Sequence, residues 1–353
     1  MKRTKEKFGG VATRDVPSCY LCGNPGDQLY RDRQDLVFNA PGSWDFRKCS
    51  KSSCGLIWMD PVPEPADIGK LYSNYYTHQD GQDAQISRIR KIRRFVRDCY
   101  FADRFGYVEL VPRWCRPIGR LLFLFPVRRL GLDYDIMRLP ASAGARLLEI
   151  GCGSGVFLAR MRNLGWKVSG IDPDPAAVSW AQRVHHLDVT CGTWEQMRFP
   201  ADSFDVITMN HVIEHVHDPV GLLTECQRML RPGGNLVLTT PNADSWGHRM
   251  FAGDWRGLEP PRHFMIFSTR NLEECTRRSN LETLTLRSIS RWARNIFVLS
   301  KEIKNQSKQG LPGKIWTGVQ GWCFQMLENI AEEFSNGSGE EVYFIGQKSD
   351  AGR

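Results

Sequence analysis

Arg146-Leu147-Leu148-Glu149-Ile150-Gly151-Cys152-Gly153-Ser154-Gly155 is the stretch that decides the fold. Its first five residues form a short apolar run, the pattern of a buried strand. Three alternating glycines follow, which let the backbone turn tightly and approach a ligand where a Cβ would collide. Val156–Leu164 then has helical spacing, and the unpaired N–H groups that open such a helix point at the same place. A second strand, Lys167–Ile171, ends in Asp172, 17 residues past Gly155. A carboxylate there accepts both hydroxyls of a ribose, at the carboxyl ends of the strands.

The same texture continues along the chain. A second helix is expected over Ala176–Val184 and strands over Phe204–Met209 and Asn235–Thr240. A helix over Val220–Leu230 separates them and stops at Arg231-Pro232-Gly233-Gly234. Leu281–Ser288 and Glu341–Gln347 read as two more strands around a helical stretch, Gly313–Phe334. Strands alternating with helices imply an α/β fold, Rossmann-like and doubly wound, with a mostly parallel sheet. The expected organisation is a flexible tail (1–17), a cysteine-bearing module with a tyrosine-rich linker (18–77), a basic helical segment (78–142) and the α/β domain (143–353). Within that domain a long loop, 241–268, is marked as functional by its length.

Composition narrows the class. The 353 residues are 41% hydrophobic and 11% aromatic, enough to bury a core and to exclude wholesale disorder. The longest apolar run, Leu121–Val127, is far short of the roughly 20 residues a bilayer span needs. Met1-Lys2-Arg3-Thr4-Lys5 is basic but leads into no apolar region, so no secretory signal is read and a cytoplasmic protein is expected. Eleven cysteines then suit a reducing compartment, where pairs hold metal more often than they form disulfides. Of the net charge of +8, nearly all lies between Gly81 and Pro140, which carries 13 Lys/Arg against 6 Asp/Glu. That stretch reads as helical from 86 to 138, with Ile86, Ile89, Ile92, Phe95, Val96 and Cys99 at helical spacing. Its basic charge beside the Leu121–Val127 run suggests a peripheral membrane contact through residues 88–129; solvated helix faces are the plain alternative.

Two cofactor families use such a glycine loop. In the dinucleotide fingerprint G-x-G-x-x-G the third glycine would fall on Val156 rather than Gly155. The E-x-G-x-G-x-G form with an acid closing the second strand instead resembles the class I methyltransferases that use S-adenosylmethionine. Three later segments add to the likeness: Gly192-Thr193-Trp194 ahead of Phe204–Ile207, Asn210-His211-Val212-Ile213-Glu214-His215-Val216-His217-Asp218-Pro219, and Leu230-Arg231-Pro232-Gly233-Gly234. The resemblance covers about Ala143 to Lys348. It implies S-adenosylmethionine bound by Glu149, Gly151, Cys152, Gly153, Gly155, Asp172, Pro173, Thr193, Trp194 and Asn210, with Asp172 on the ribose and Thr193 and Trp194 beside the adenine.

Cys19-Tyr20-Leu21-Cys22-Gly23 and Cys49-Ser50-Lys51-Ser52-Ser53-Cys54-Gly55 form two knuckles 26 residues apart. Thiolates paired at short spacing, each pair followed by glycine, suit tetrahedral zinc, because the tight turn frees N–H groups to bond sulfur. Such zinc is structural and holds a segment too small to fold alone. A cysteine module, then Pro61-Val62-Pro63, then Leu71-Tyr72-Ser73-Asn74-Tyr75-Tyr76, then the α/β core resembles a bacterial group acting on nucleotide-linked sugars and natural-product precursors. In that group the tyrosines, here Tyr76 among them, close over cofactor and acceptor.

Loop 241–268 holds Trp246, His248, Trp255, Arg256, Arg262 and His263, and Pro261–Ser268 is similar to the group's acceptor-loop signature. Methyl transfer is an in-line displacement, so the protein positions the acceptor and removes its proton where needed. An imidazole, titrating near about 6.5, suits that task, and His215 and His263 match histidine positions of the group. The Glu and Tyr that accompany the histidine there are Arg262 and Pro260 here, which disfavours a ketosugar carbon and favours a hydroxyl or a differently charged acceptor. Arg262 and Arg256 beside Trp246 and Trp255 also suggest a clamp for a phosphate or carboxylate. The reading is an enzyme methylating oxygen on a small-molecule or glycan-type acceptor. The alternative is a ribosomal-RNA methyltransferase with a zinc-ribbon module. Nucleic acid is disfavoured, since neither Asn/Asp-Pro-Pro-Tyr/Phe nor a Pro-Cys pair follows the fourth strand. A third possibility, a fold that has lost its cofactor, is opposed by the intact Glu149, glycines and Asp172.

Overall fold

The computed structural model describes residues 8–72, 88–306, 314–334 and 337–349. They fall into two compact units. One comprises Met1–Tyr75, Phe199–Asp202 and Met209–Arg353, the other Tyr76–Arg198 and Ser203–Thr208.

The first unit opens with β1 (Thr13–Arg14), β2 (Gly26–Arg33), β3 (Trp44–Cys49), β4 (Ile57–Met59) and β5 (Val62–Pro63). β2, β3 and β4 form an antiparallel meander, and β1 pairs with β5. The segment expected as a loose tail to residue 17 is anchored from Phe8 onward. Phe8 and Val11 are buried in the core that Trp44, Phe46 and Met59 build, and the Ala12 N–H donates to Asp67 at 2.7 Å. Two apolar side chains in an otherwise polar stretch suffice to tie it down.

The second unit begins with α1 (Arg88–Arg104), a 3₁₀ stretch over Arg113–Leu124 and α2 (Pro126–Asp135), which is the basic helical segment. The strand–helix alternation follows as β6 (Arg146–Ile150), α3 (Val156–Asn163), β7 (Lys167–Asp172), α4 (Pro175–His185), β8 (Val189–Cys191) and β9 (Phe204–Asn210). β6, β7 and β8 are parallel in the order β9-β6-β7-β8. Leu147 and Leu148 are buried on both sides of β6, as a strand covered on two faces requires. α4 starts where Asp174 accepts the Ala176 N–H at 2.9 Å and Pro175 fills the first turn. The short β8, with Val189 its one buried residue, carries no periodicity and was not foreseen.

The rest of the first unit runs α5 (Pro219–Met229), β10 (Leu230–Pro241), α6 (Trp246–Phe251), β11 (Met265–Ile266), α7 (Thr269–Arg278), β12 (Leu281–Ile289), α8 (Ala293–Gln306), α9 (Lys314–Phe334) and β13 (Glu341–Lys348). β13 lies antiparallel between β10 and β12. Gly233, in the expected stop, sits at φ +73° while the chain passes straight into β10. The long loop is not structureless. It contains α6, and its β11 pairs antiparallel with β4, which adds the loop to the cysteine module's sheet. Among the described residues no helix is long and apolar enough to cross a membrane.

Gly155 links the turn to its packing. It sits at φ +78°, and a Cβ there would meet Leu187 Cδ1 at 2.5 Å and Ala181 Cβ at 2.9 Å. Gly155→Ala is therefore expected to destabilise the chain by about 1–3 kcal/mol, from backbone strain and overpacking together. Urea unfolding checks this, and an unchanged midpoint would refute the packing argument.

Candidate nucleotide loop, histidine cluster and cysteine site

In the second unit Gly151, Gly153 and Gly155 all adopt left-handed backbone, at φ +73°, +50° and +78°. The Gly151 and Cys152 N–H groups both turn back onto the Ile171 carbonyl, at 2.8 and 3.2 Å. The Gly153 N–H donates to Asp172 Oδ2 at 2.8 Å and the Asp174 N–H to Oδ1 at 2.9 Å. The acid at the end of β7 is thus aligned by the loop itself, with one N–H on each oxygen and a further lone pair on each. Glu149 is buried, and its Oε2 has no hydrogen-bond partner. Burial, and then the charge of Asp172, pushes its carboxyl well up. Burial likewise raises Asp172, against the two N–H bonds. Two carboxyls held away from water are acceptors suited to hydroxyl and ammonium donors. A Cβ on Gly153 would meet nothing within 4 Å, so the loop leaves open space there.

The other residues expected around a nucleotide are placed less directly. Thr193 caps the 3₁₀ turn Trp194–Gln196, and the turn buries the Trp194 indole N–H without a partner. Pro173 is exposed between Asp172 and Asp174. Asn210 belongs to the first unit, where its Oδ1 accepts from Thr239 Oγ1 at 2.6 Å.

His215 and His263 do come together, with ring centroids 4.7 Å apart at 74°. His215 Nδ1 lies 2.9 Å from the Arg262 carbonyl and 3.1 Å from the Tyr72 hydroxyl. The carbonyl requires the hydrogen on Nδ1, which leaves Nε2 as a proton acceptor. His263 Nδ1 faces the Gly257 carbonyl at 2.7 Å in the same way. Burial pulls His263 down to about 4, so it is neutral near pH 7. Tyr76 lies outside the described residues; among the described residues Tyr72, from the same tyrosine-rich run, meets His215.

Glu214 underlies both rings. Fully buried, it accepts from Thr240 Oγ1 at 2.9 Å and sits 3.0 Å from His211 Nδ1, while His211 Nε2 contacts Glu341. Burial opposes charge on either partner, but the mutual contacts prevail, lifting His211 to about 10 and holding Glu214 near about 2. Glu214, Glu341 and His211 were missed as site residues. Each is polar in an apolar context, but their partners are up to 130 residues away.

The anion clamp expected of Arg262 and Arg256 is not what the structure builds. Arg262 is completely buried, and its guanidinium donates to Glu259 at 3.0 Å, Asp35 at 2.9 Å and the Leu71 carbonyl at 3.1 Å. Arg256 pairs with the other oxygen of Glu259. Against burial, Arg256 and Arg262 hold the Glu259 carboxyl well below the usual range. The Trp255 indole donates to Glu340 at 2.8 Å and stacks on His248. These groups are internal ties.

Cys19, Cys22, Cys49 and Cys54 bring their sulfurs within 4.8 Å of one another. Cys19–Cys54 is 3.6 Å and Cys22–Cys49 3.4 Å. That is too long for disulfides, at about 2.05 Å, and near the edge of about 3.8 Å of a tetrahedron with 2.3 Å metal–sulfur bonds. Gly23 and Gly55, after each pair, sit at φ +72° and +66°, which is why glycine stands there. Asn24 Nδ2 donates to Cys22 Sγ at 3.4 Å.

A family model described as a methyltransferase domain matches residues 120–286. A ubiquinone biosynthesis O-methyltransferase of Alkalilimnicola ehrlichii is 31% identical over 222 residues, 60% of this chain and 83% of that one. The protein of that name from Xanthomonas oryzae pv. oryzae is 36% identical over 143 residues, 38% of this chain. The match spans 59% of that relative's length. Among solved structures, a methyltransferase of Thermotoga maritima superposes with a TM-score of 0.43 at 20% identity, covering 71% of this chain and 100% of that one.

Removing the Arg262 guanidinium would leave Glu259 with Arg256 as its one arginine partner and Asp35 with backbone N–H groups alone, both buried without a counter-charge they now have. Arg262→Ala is expected to cost about 3–5 kcal/mol in urea unfolding. A cost below about 1 kcal/mol would mean that these ties are replaced by water.

Proposed function

Because the chain belongs to the class I S-adenosylmethionine-dependent methyltransferases, we propose that it methylates an oxygen of a small-molecule or glycan-type acceptor. The observation that carries the reading is the Asp172 carboxylate, aligned by the Gly153 and Asp174 N–H groups over a loop of three left-handed glycines. The donor set fits the cofactor. Asp172 offers its free lone pairs to the ribose hydroxyls, and the unpartnered Glu149 Oε2 offers an acceptor at the loop. Gly151, Cys152 and Gly155 shape the turn, Pro173 follows the ribose acid and Thr193 and Trp194 border the adenine, while Asn210 is kept as a cofactor-side residue on the resemblance alone. When bound, S-adenosylmethionine supplies an electrophilic methyl group on a sulfonium.

His215 is the base in this reading. Its Nδ1 hydrogen is fixed on the Arg262 carbonyl, so Nε2 takes the hydroxyl proton as the acceptor oxygen attacks. His263, neutral and more deeply buried, orients His215 edge to face. Tyr72 joins the same cluster, and Tyr76 is retained as an acceptor-side residue on the resemblance alone. Oxygen methylation agrees with the relatives' names, and a sugar or natural-product precursor remains the acceptor class that the N-terminal module's resemblance favours.

We assign zinc to Cys19, Cys22, Cys49 and Cys54 as a structural ion. Asn271 Nδ2 donates to the Cys54 carbonyl at 2.7 Å and Arg278 to the Leu21 carbonyl at 2.6 Å, so α7 is fastened to both knuckles. Elemental analysis should find about one zinc per chain, and chelation should lower the melting temperature. Metal-free protein with unchanged melting would overturn the assignment.

The function is tested in two steps. Calorimetric titration should show S-adenosylhomocysteine binding that Asp172→Ala weakens at least about tenfold, as expected for a lost ribose contact. Transfer of a labelled methyl group into fractions of a metabolite extract then identifies the acceptor. With it, His215→Ala should lower kcat about 10²–10⁴-fold while cofactor affinity holds. Absence of nucleoside binding sinks the whole reading; unchanged kcat sinks only the base.

A further inference from the structure

α1 is a helix of two halves. Its last turns bury Cys99, Tyr100, Phe101 and Ala102 inside the second unit, whereas every residue from Arg88 to Phe95 is exposed. The face that buries Cys99 continues toward the N-terminus through Val96, Ile92 and Ile89, at helical spacing. Along that continuation Ile89 is 62% and Ile92 63% exposed. Ile92 and Val96 line a shallow groove together with Leu122 of the 3₁₀ stretch, Phe125 at its end and Leu132 of α2. Trp114, Leu121 and Leu124, on the 3₁₀ stretch, are more than half exposed. An apolar surface of this extent is unusual on a solvated face.

The apolar side chains are set among cations. Residues 88–129 hold 12 Lys/Arg against three Asp/Glu, so the remainder of the chain is close to neutral. Arg93, Arg97 and Arg128 line the groove itself. The three acids are Asp98, Asp103 and Glu109. Asp98 is taken by Arg94 and Arg97 and Asp103 by Arg120. Arg88, Lys91, Arg93, Arg113 and Arg128 form no ion pair with any described residue.

We propose that this face docks on an anionic phospholipid surface. Aliphatic side chains ringed by arginines match a bilayer interface, where the apolar tips enter the acyl boundary and the guanidinium groups meet phosphate. A second copy of the chain is disfavoured, because it would oppose one cationic face to another. RNA would use the cations and the aromatic rings but gains nothing from exposed Ile89, Ile92, Leu121 and Leu124. The inference rests on this surface alone and stands independently of the methyl-transfer reading.

The test is co-sedimentation of the full chain with vesicles of phosphatidylcholine, alone or mixed with phosphatidylglycerol. Binding to the mixed vesicles should exceed binding to the neutral ones at least about tenfold at low salt and fall steeply near about 1 M, where charges are screened within about 3 Å. Leu124→Asp and Ile92→Asp, at exposed positions, should leave thermal melting unchanged and weaken vesicle binding at least about fivefold. Emission at Trp114, obtained as the difference from W114F, should shift to the blue on mixed vesicles only. No preference for anionic vesicles overturns the proposal. So does vesicle binding indifferent to both aspartate variants, or binding to a single-stranded RNA oligomer with none to vesicles.

Discussion

The guanidinium of Arg262 is taken wholly out of water, and that cost is met by two carboxylates and a main-chain carbonyl from three distant parts of the first unit. Asp35 brings in the loop after β2, Leu71 the end of the cysteine module, and Glu259 the long loop. The same residue's carbonyl fixes the tautomer of His215, and the next residue is His263. A buried ion pair of this kind is weak evidence of net stability, because desolvation consumes most of its attraction. Its consequence is for register, since an arrangement that kept Arg262 buried without these partners would leave its charge unpaired.

Around that tie the long loop and the cysteine module become one structure. β11 extends the module's sheet through Met265 and Ile266, and Trp44, Phe46, Ile57, Trp255, Phe264 and Ile266 share one core. α7 closes over the knuckles by hydrogen bonds to the carbonyls of Cys54 and Leu21. An ion held by the four sulfurs would therefore stabilise the segment that carries the histidines as well as its own small sheet. The two carboxyls of the second unit follow a different logic. Glu149 and Asp172 are buried, and Glu149 Oε2 has no partner, a costly state that a ligand rich in hydroxyl and ammonium donors would relieve.

Charge is segregated along the chain in the same spirit. Acids and bases of the first unit neutralise one another inside it, as Glu214, Glu259 and Glu341 do with His211, Arg256 and Arg262. The basic helices leave most of their cations without acids, beside apolar side chains that no part of the described chain covers.

What local chemistry controls was legible in the residues alone. The strand–turn–helix around Gly151, Gly153 and Gly155, the acid closing β7, the cysteine pairs with their left-handed glycines and the starts of α3 to α5 all rest on neighbours a few residues apart. Hydrophobic period, φ angle and capping are properties of such short stretches. Tertiary structure alone decided the partners of polar groups buried at long range. Arg262 read as an anion clamp because its alternation with aromatics is visible and its bonds to Asp35 and Leu71 are not; those residues stand 227 and 191 positions away. The tail's anchoring through Phe8 and the place of Tyr72 beside His215 were hidden likewise. Which charges find each other inside a protein depends on how strands pair across the fold, and no window of sequence contains both ends of such a bond.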